Sequence, residues 1–240
     1  MVIQIMKSSN NSIGEGDRLK RNINNLKNEI DMVCKKIGRD SRDISIVAAT
    51  KYASAGQIKL VYNLGLRNFG ENRADQLEEK YNMVKGDSVW HFIGHLQSRK
   101  VKIVVPLVEF IHSIDRISTL SKVNDEARKL DKIQKLLIEI NISGEESKYG
   151  INPGDLHDFL EETLNFKNIK VAGLMTMAPL TDDFEFIRKI FKRLRILRDE
   201  SNKDFSNMNL TELSMGMSND YKVAVEEGAT MIRIGSIIFK

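Results

Sequence analysis

The feature of this 240-residue sequence that most constrains its fold is a repeated alternation of strand-like and helix-like segments. Short apolar runs rich in β-branched residues recur about eight times, and most are followed by segments whose apolar residues return every three or four positions. Such runs are typical of parallel strands that are covered on both faces. Eight of these units predict an α/β fold, a single-domain (β/α)8 TIM barrel.

The competing topology is a doubly wound open sheet. It would usually need fewer strands, and no GxGxxG motif follows the first predicted strand. A helix predicted over residues 17–37 precedes that strand, and no helix is predicted after the eighth, so we expect the first helix to cover the last gap of a barrel. The predicted strands span residues 44–51, 67–70, 88–94, 109–114, 135–142, 169–177, 210–216 and 231–239.

The composition sets limits on domains, partners and compartment. We expect residues 1–15 to be a loose, polar leader and residues 16–240 to be one barrel domain. Cys34 is the only cysteine, so no internal disulfide can form and a cysteine-based zinc site is excluded. Basic and acidic residues are interspersed and the net charge is +4, so no basic block is present and we expect no nucleic-acid partner. No stretch resembles a secretory signal or a membrane span, so we expect a cytoplasmic protein that does not bind membranes.

The first predicted strand, ISIVAATKY, ends in a lysine. A helical pattern follows Thr50-Lys51, so Lys51 is predicted at the carboxyl end of the strand, where α/β folds place their ligand sites. We expect its amine to be partly desolvated there, which favours the neutral form that condenses with aldehydes. From this stretch alone, the alternative is an ordinary strand-end lysine that reaches solvent.

Two glycine-containing turns follow the predicted strands seven and eight. Ser214 and Ser218 of LSMGMSND offer hydroxyls, whereas Gly235 and Ser236 of IRIGS offer backbone N–H groups near Arg233. Barrels often bind phosphate with these two loops, although each turn alone could be simple turn chemistry. A lysine beside a phosphate site predicts one of two ligands. The first is a sugar phosphate, with the lysine acting as in an aldolase, and the second is pyridoxal 5′-phosphate (PLP).

The histidines do not predict a metal site. His91 and His95 are four residues apart, but they lie on a strand and across Gly94, so they share no helical face. His91 follows Trp90 and is interpreted as a pocket wall or a hydrogen-bonding neighbour.

Eight stretches in a fixed order carry a resemblance to a known family. They are VAATKYAS, NFGENRADQ, WHFIGHLQSRK, HSIDR, IEINISGEESKYGI, GLMTMAPL, LSMGMSNDY and MIRIGS. From about residue 15 onward the sequence resembles the YggS/PROSC family of PLP homeostasis proteins. The resemblance implies a barrel like the N-terminal domain of alanine racemase, with PLP bound to Lys51 as a Schiff base.

The resemblance also implies the roles of further residues. Ser214, Gly235 and Ser236 would contact the phosphate, and Ser236 stands where the family commonly has threonine. Arg233 would lie beside the pyridine nitrogen, and the side chains of Asn72 and His91 would line the pocket. The residues assigned to PLP binding are therefore Lys51, Asn72, His91, Ser214, Arg233, Gly235 and Ser236.

The resemblance implies a PLP carrier in vitamin B6 homeostasis rather than an enzyme. An arginine beside the pyridine nitrogen keeps that nitrogen unprotonated, which makes the ring a weaker electron sink. Racemases of this fold take a second base from another domain, for which we expect no room after strand eight. The alternatives are a low-activity PLP-dependent amino-acid racemase or decarboxylase, and a Schiff-base aldolase. We expect a monomer whose partners are PLP and PLP-dependent apoenzymes.

Overall fold

Eight parallel strands form one closed barrel in a computed structural model, which describes residues 3–84 and 86–240, with side chains from residue 14 onward. Each strand pairs with its neighbours in sequence, and the first pairs with the last. The predicted (β/α)8 barrel is therefore confirmed. The strands are β1 Ser45–Ala49, β2 Asn68–Glu71, β3 Val89–Phe92, β4 Phe110–Ile114, β5 Gln134–Glu139, β6 Ile169–Met175, β7 Glu212–Met217 and β8 Met231–Ile234.

Helices of very different length surround the barrel. No helix of the described residues is long and apolar enough to cross a membrane. The helices are α1 Ile3–Ile37, α2 Ala55–Asn63, α3 Ala74–Tyr81, α4 Val101–Val104, α5 Ile117–Lys129, α6 Leu156–Thr163, α7 Phe184–Asp204, α8 Tyr221–Glu226 and α9 Ser236–Phe239.

The end of the chain differs from the prediction. Strand eight was expected to run to Phe239 without a following helix, but β8 ends at Ile234 and α9 follows it. The Gly235 carbonyl accepts hydrogen bonds from the N–H groups of Ile238 and Phe239, which closes a helical turn. An apolar run of this length fits a strand or a buried helical turn, and the packing of Ile238 in the core decides for the helix.

The first helix seals the barrel where it was expected to. A stripe of apolar residues on α1 is buried, including Leu19, Ile23 and Cys34, and the helix packs against α8 and α9. The Asn22 amide donates to the Ile238 carbonyl at 3.0 Å. This helix begins at Ile3 rather than near residue 17, so the stretch predicted as a loose leader is helical from Ile3 onward. Residues 1–2 lie outside the described part, and the division into leader and barrel domain stays a prediction.

Two apolar layers hold the barrel. One fills its interior and consists of Val47, Leu137, Ala172, Met175 and Met231. The larger one lies between the strands and the helices. Because all eight strands are parallel, their carboxyl ends open on the same face of the barrel, and the loops there share one mouth.

Candidate functional site

Lys51 lies in a tight turn between β1 and α2. The Thr50 carbonyl accepts a hydrogen bond from the Ala53 N–H at 2.9 Å, so Lys51 and Tyr52 are the two central residues of a β-turn. Ser54 then caps α2 with a capping box. Lys51 is exposed, so the predicted partial desolvation of its amine is wrong for this structure. Its Nζ lies 4.9 Å from the centroid of the Tyr52 ring.

A buried ion pair fixes the backbone beneath this turn. Lys80 Nζ lies 2.5 Å from Glu71 Oε1 and 2.7 Å from the Thr50 carbonyl. Thr50 Oγ1 donates to the same carboxylate oxygen at 3.1 Å, and the Asn72 N–H donates to Glu71 Oε2 at 2.7 Å. The pair therefore ties together Thr50, which precedes Lys51, and Asn72 on the neighbouring strand end.

The mouth of the barrel contains a cavity of about 390 Å³. This volume is within the range of small-molecule sites. Five of the seven predicted site residues lie on its wall: Lys51, Asn72, Arg233, Gly235 and Ser236. Much of the remaining wall is apolar, and it consists of Ala49, Ala53, Ala178, Pro179, Leu180, Ile187, Met217 and Phe239.

One side of the cavity is lined by backbone hydrogen-bond donors. The backbone N–H groups of Ser218, Asn219, Gly235 and Ser236 have no hydrogen-bond partner among the described residues, and all four residues line the cavity. The Met217 N–H donates to Asp220 Oδ1 at 2.5 Å, which closes the turn that presents Ser218 and Asn219. Four N–H groups and two serine hydroxyls on adjacent loops make a site suited to phosphate oxygens.

Gly216 is required for this geometry. Its φ is +91°, a conformation that favours glycine, and a Cβ there would lie 2.5 Å from the Cβ of Ala224 on α8. The glycine lets β7 pass close to α8, so that the Ser218 loop reaches the cavity.

Arg233 supplies a buried cation at the base of the cavity. Its Nη1 donates to Ser214 Oγ at 2.6 Å and its Nη2 donates to the Thr176 carbonyl at 3.0 Å. Burial lowers the pKa of Arg233 to about 10, against the opposing effect of Glu139 and Asp220, so the guanidinium stays charged at neutral pH. Burial also raises the pKa of the Asp220 carboxyl.

The structure does not bring His91 and Ser214 to the cavity wall. Both are buried in the barrel interior, one layer below the mouth, and their polar atoms are used by other side chains. Side chains of a strand alternate between the two faces and also differ in depth along the barrel axis, and depth is what the pattern of single strands does not show. His91 is a hydrogen-bonding neighbour of other side chains rather than a pocket wall. The roles of His91 and Ser214 in PLP binding stay predictions.

Several wall residues were not assigned from the sequence. Ser218 was noted only as a hydroxyl of its turn, and Asp220 as the start of a helix, yet both line the cavity. The register of β7 against β8 shifts between Ser214 and Met217, and this irregularity moves Ser218 to the mouth. Tyr52 and Leu180 stand at the rim and are largely exposed, at 86% and 90%.

A single barrel with a lysine at the end of its first strand and donors on its last two loops defines the class of alanine-racemase-type barrels. The family model "Alanine racemase, N-terminal domain" matches residues 16–240. An alanine racemase structure from Clostridium difficile 630 superimposes with a TM-score of 0.71 at 16% identity, covering 92% of this chain and 56% of that one. At this identity the match shows the fold alone.

More similar proteins define the family. A pyridoxal phosphate homeostasis protein of Aquifex aeolicus is 42% identical over 88% of this chain and 92% of its own length. The protein of the same description in Homo sapiens is 35% identical, over 87% and 82%. The structure of PipY from Synechococcus elongatus with PLP bound has a TM-score of 0.78 at 30% identity, over 88% of this chain and all of that one. The chain belongs to the pyridoxal phosphate homeostasis protein family, YggS/PROSC, which confirms the resemblance.

Proposed function

We propose that this protein binds PLP in the cavity at the barrel mouth and acts in intracellular PLP and vitamin B6 homeostasis. The observation that carries the proposal is that one cavity joins an exposed lysine amine, a buried arginine and four backbone N–H groups that find no acceptor in the described part of the chain. The PLP complex of PipY and the printed names of the relatives support the same ligand.

Each part of PLP has a chemically matched group in the cavity. The N–H groups of Ser218, Asn219, Gly235 and Ser236 suit the phosphate, and the apolar wall suits the flat ring. Arg233 has five N–H donors and uses two of them within the described residues, so it can donate to the pyridine nitrogen. The Lys51 amine and the aldehyde would form a Schiff base with loss of one water molecule.

The site favours a carrier over an enzyme. A cationic arginine beside the ring nitrogen keeps that nitrogen unprotonated, which gives little help to carbanion chemistry. Lys51 and Tyr52 are exposed at the rim, so the mouth is open, whereas PLP enzymes exclude water from the reacting atoms. The competing function is a weakly active amino-acid racemase or decarboxylase, because the fold is shared with racemases. Turnover of an amino acid faster than by free PLP would establish that alternative.

The test of the binding mode compares Lys51→Ala with Lys59→Ala. Both changes remove an exposed lysine, but Lys59 lies on α2 and does not line the cavity. PLP-loaded protein is reduced with borohydride and digested, and the modified peptide is identified by mass. We expect the adduct on Lys51, its loss in Lys51→Ala and its retention in Lys59→Ala. A full adduct in Lys51→Ala would refute the Schiff-base assignment.

The cellular part of the proposal needs separate measurements. We propose a cytoplasmic monomer that delivers PLP to apoenzymes. Mixing the PLP-loaded protein with a PLP-dependent apoenzyme should restore enzyme activity faster than an equal concentration of free PLP. Restoration at the rate set by free PLP would contradict delivery, and a dimer mass in sedimentation would contradict the monomer.

A further inference from the structure

A buried chain of hydrogen bonds crosses the barrel interior from β8 to β2. It starts at Arg233, whose Nη1 lies 2.6 Å from Ser214 Oγ. Ser214 Oγ lies 2.9 Å from His112 Nδ1, and His112 Nε2 lies 2.9 Å from His91 Nδ1. His91 Nε2 then lies 3.0 Å from Asn68 Oδ1. Four strands besides β8 thus contribute one polar side chain each to a single path.

The buried Arg233 end sets the direction of this chain. A guanidinium can only donate, so Ser214 Oγ accepts from Arg233. Ser214 is fully buried, and His112 Nδ1 is its one other partner among the described residues, so the hydroxyl donates to that nitrogen. His112 therefore carries its proton on Nε2 and donates to His91 Nδ1. His91 carries its proton on Nε2 and donates to Asn68.

Any other placement of the protons leaves an unsatisfied or clashing donor in the barrel interior. Reversing the chain would deprive the buried Ser214 hydroxyl of an acceptor, at a cost of about 1–3 kcal/mol. Protonating His91 would place two N–H groups against each other at the 2.9 Å contact between His91 and His112. Protonating His112 would place its Nδ1–H against the hydroxyl hydrogen of Ser214. Burial acts in the same sense: it lowers the pKa of His91 to about 3, and it lowers the pKa of His112 well below its usual value, with the charge of Arg233 adding to the effect.

We propose that His112 and His91 are positioning residues that hold the Arg233 guanidinium in one orientation toward the cavity through Ser214. Ser214 and the Thr176 carbonyl together hold two of the five N–H donors of Arg233. The remaining donors are then fixed in direction for a ligand at the cavity. The consequence for a bound PLP ring rests on the proposed function, whereas the chain itself does not.

The chain can be tested in the protein without any ligand. Long-range proton–nitrogen NMR of the labelled protein identifies the protonated nitrogen of each histidine. At about pH 5.5, one unit below the ordinary histidine pKa of about 6.5, we expect His91 and His112 to be neutral with the proton on Nε2. A cationic ring, or a proton on Nδ1 of His112, would overturn the assigned direction and the proposal with it.

The link to the cavity is tested with a matched pair, Ser214→Thr and Ser214→Val. Threonine and valine have nearly the same volume, so both add the same packing cost and differ in the hydroxyl. We expect the threonine variant to bind PLP like the wild type within about threefold. The valine variant should bind about tenfold more weakly, with a displaced absorbance band of the bound cofactor.

Equal affinities and equal spectra for the two variants would refute the positioning role. Thermal unfolding of both variants checks that the difference does not come from stability. If the wild-type protein binds no PLP, the proposed function fails, and the NMR measurement still decides whether the chain has the assigned direction.

Discussion

Removing the ammonium of Lys80 should destabilise the protein far more than removing an exposed lysine of similar geometry. In Lys80→Met, the Glu71 carboxylate stays fully buried and loses its cation, and the Thr50 carbonyl loses a donor at 2.7 Å. Breaking a buried, hydrogen-bonded ion pair from one side costs about 3–5 kcal/mol. For a chain of this length, that loss corresponds to a fall in the melting temperature of about 6–20 °C.

The matched control is Lys35→Met. Lys35 pairs with Asp31 at 2.7 Å on α1, where the lysine side chain is 75% exposed and the aspartate side chain 43%. The same chemical change should cost much less there, because exposed pairs gain little over hydration. Urea unfolding followed by circular dichroism gives the free energy of unfolding of both variants and of the wild type.

A double variant separates the charge from the packing. Glu71→Gln in the Lys80→Met background removes the uncompensated charge and keeps an amide oxygen for neighbouring donors. It should recover more than about 1 kcal/mol of the loss. A loss of under about 1 kcal/mol in Lys80→Met, or one equal to that of Lys35→Met, would refute the argument that desolvation dominates this pair.

Two further predictions concern pH and backbone packing. Burial raises the pKa of Glu139 to about 7, so its contribution to stability is complete below pH 4.5 and is lost as the pH rises through 7. Glu139→Gln should therefore be about 3 kcal/mol more stable than the wild type at pH 8 and equal to it at pH 4; parallel pH profiles of unfolding would contradict this. A Cβ on Gly94 would lie 2.3 Å from the Asn72 carbonyl oxygen, so Gly94→Ala should cost about 2 kcal/mol and weaken PLP binding. A Cβ on Gly154 would meet no atom within 4 Å, so Gly154→Ala should change neither stability nor PLP binding. Equal effects of the two substitutions would show that the backbone at Asn72 moves away from the new Cβ at little cost.

The strand pattern was enough to predict the barrel because each strand is a short apolar run covered on both faces. The strand prediction was wrong where an apolar run fits either a strand or a helical turn. Residues 236–239 form a helical turn instead of extending β8, because Gly235 starts a turn and Ile238 packs in the core. The polar residues before Asp17 carry no apolar stripe, so periodicity could not predict that α1 begins at Ile3.

The sequence predicted which strands contribute residues to the site, but not how far along the barrel axis each residue lies. Position at a strand end was sufficient to predict that Lys51, Arg233 and Gly235 lie at the mouth. It did not separate the mouth from the layer beneath it, where Ser214 is buried. The burial of Lys80 was also beyond sequence reasoning, because a lysine on an amphipathic helix is usually solvated and its partner Glu71 precedes it on another element.

The sealing of the barrel by α1 has a consequence for how the chain reaches its native state during synthesis. The apolar stripe of α1 leaves the ribosome well before its partners α8 and α9, which are separated from it by about 200 residues. The part of the stripe that packs against α8 and α9 therefore stays uncovered while the intervening strands and helices are made, a period in which such surfaces are prone to aggregate or to be bound by chaperones. Closing a contact so distant in sequence is slow, so the docking of α1 should be among the last events of folding.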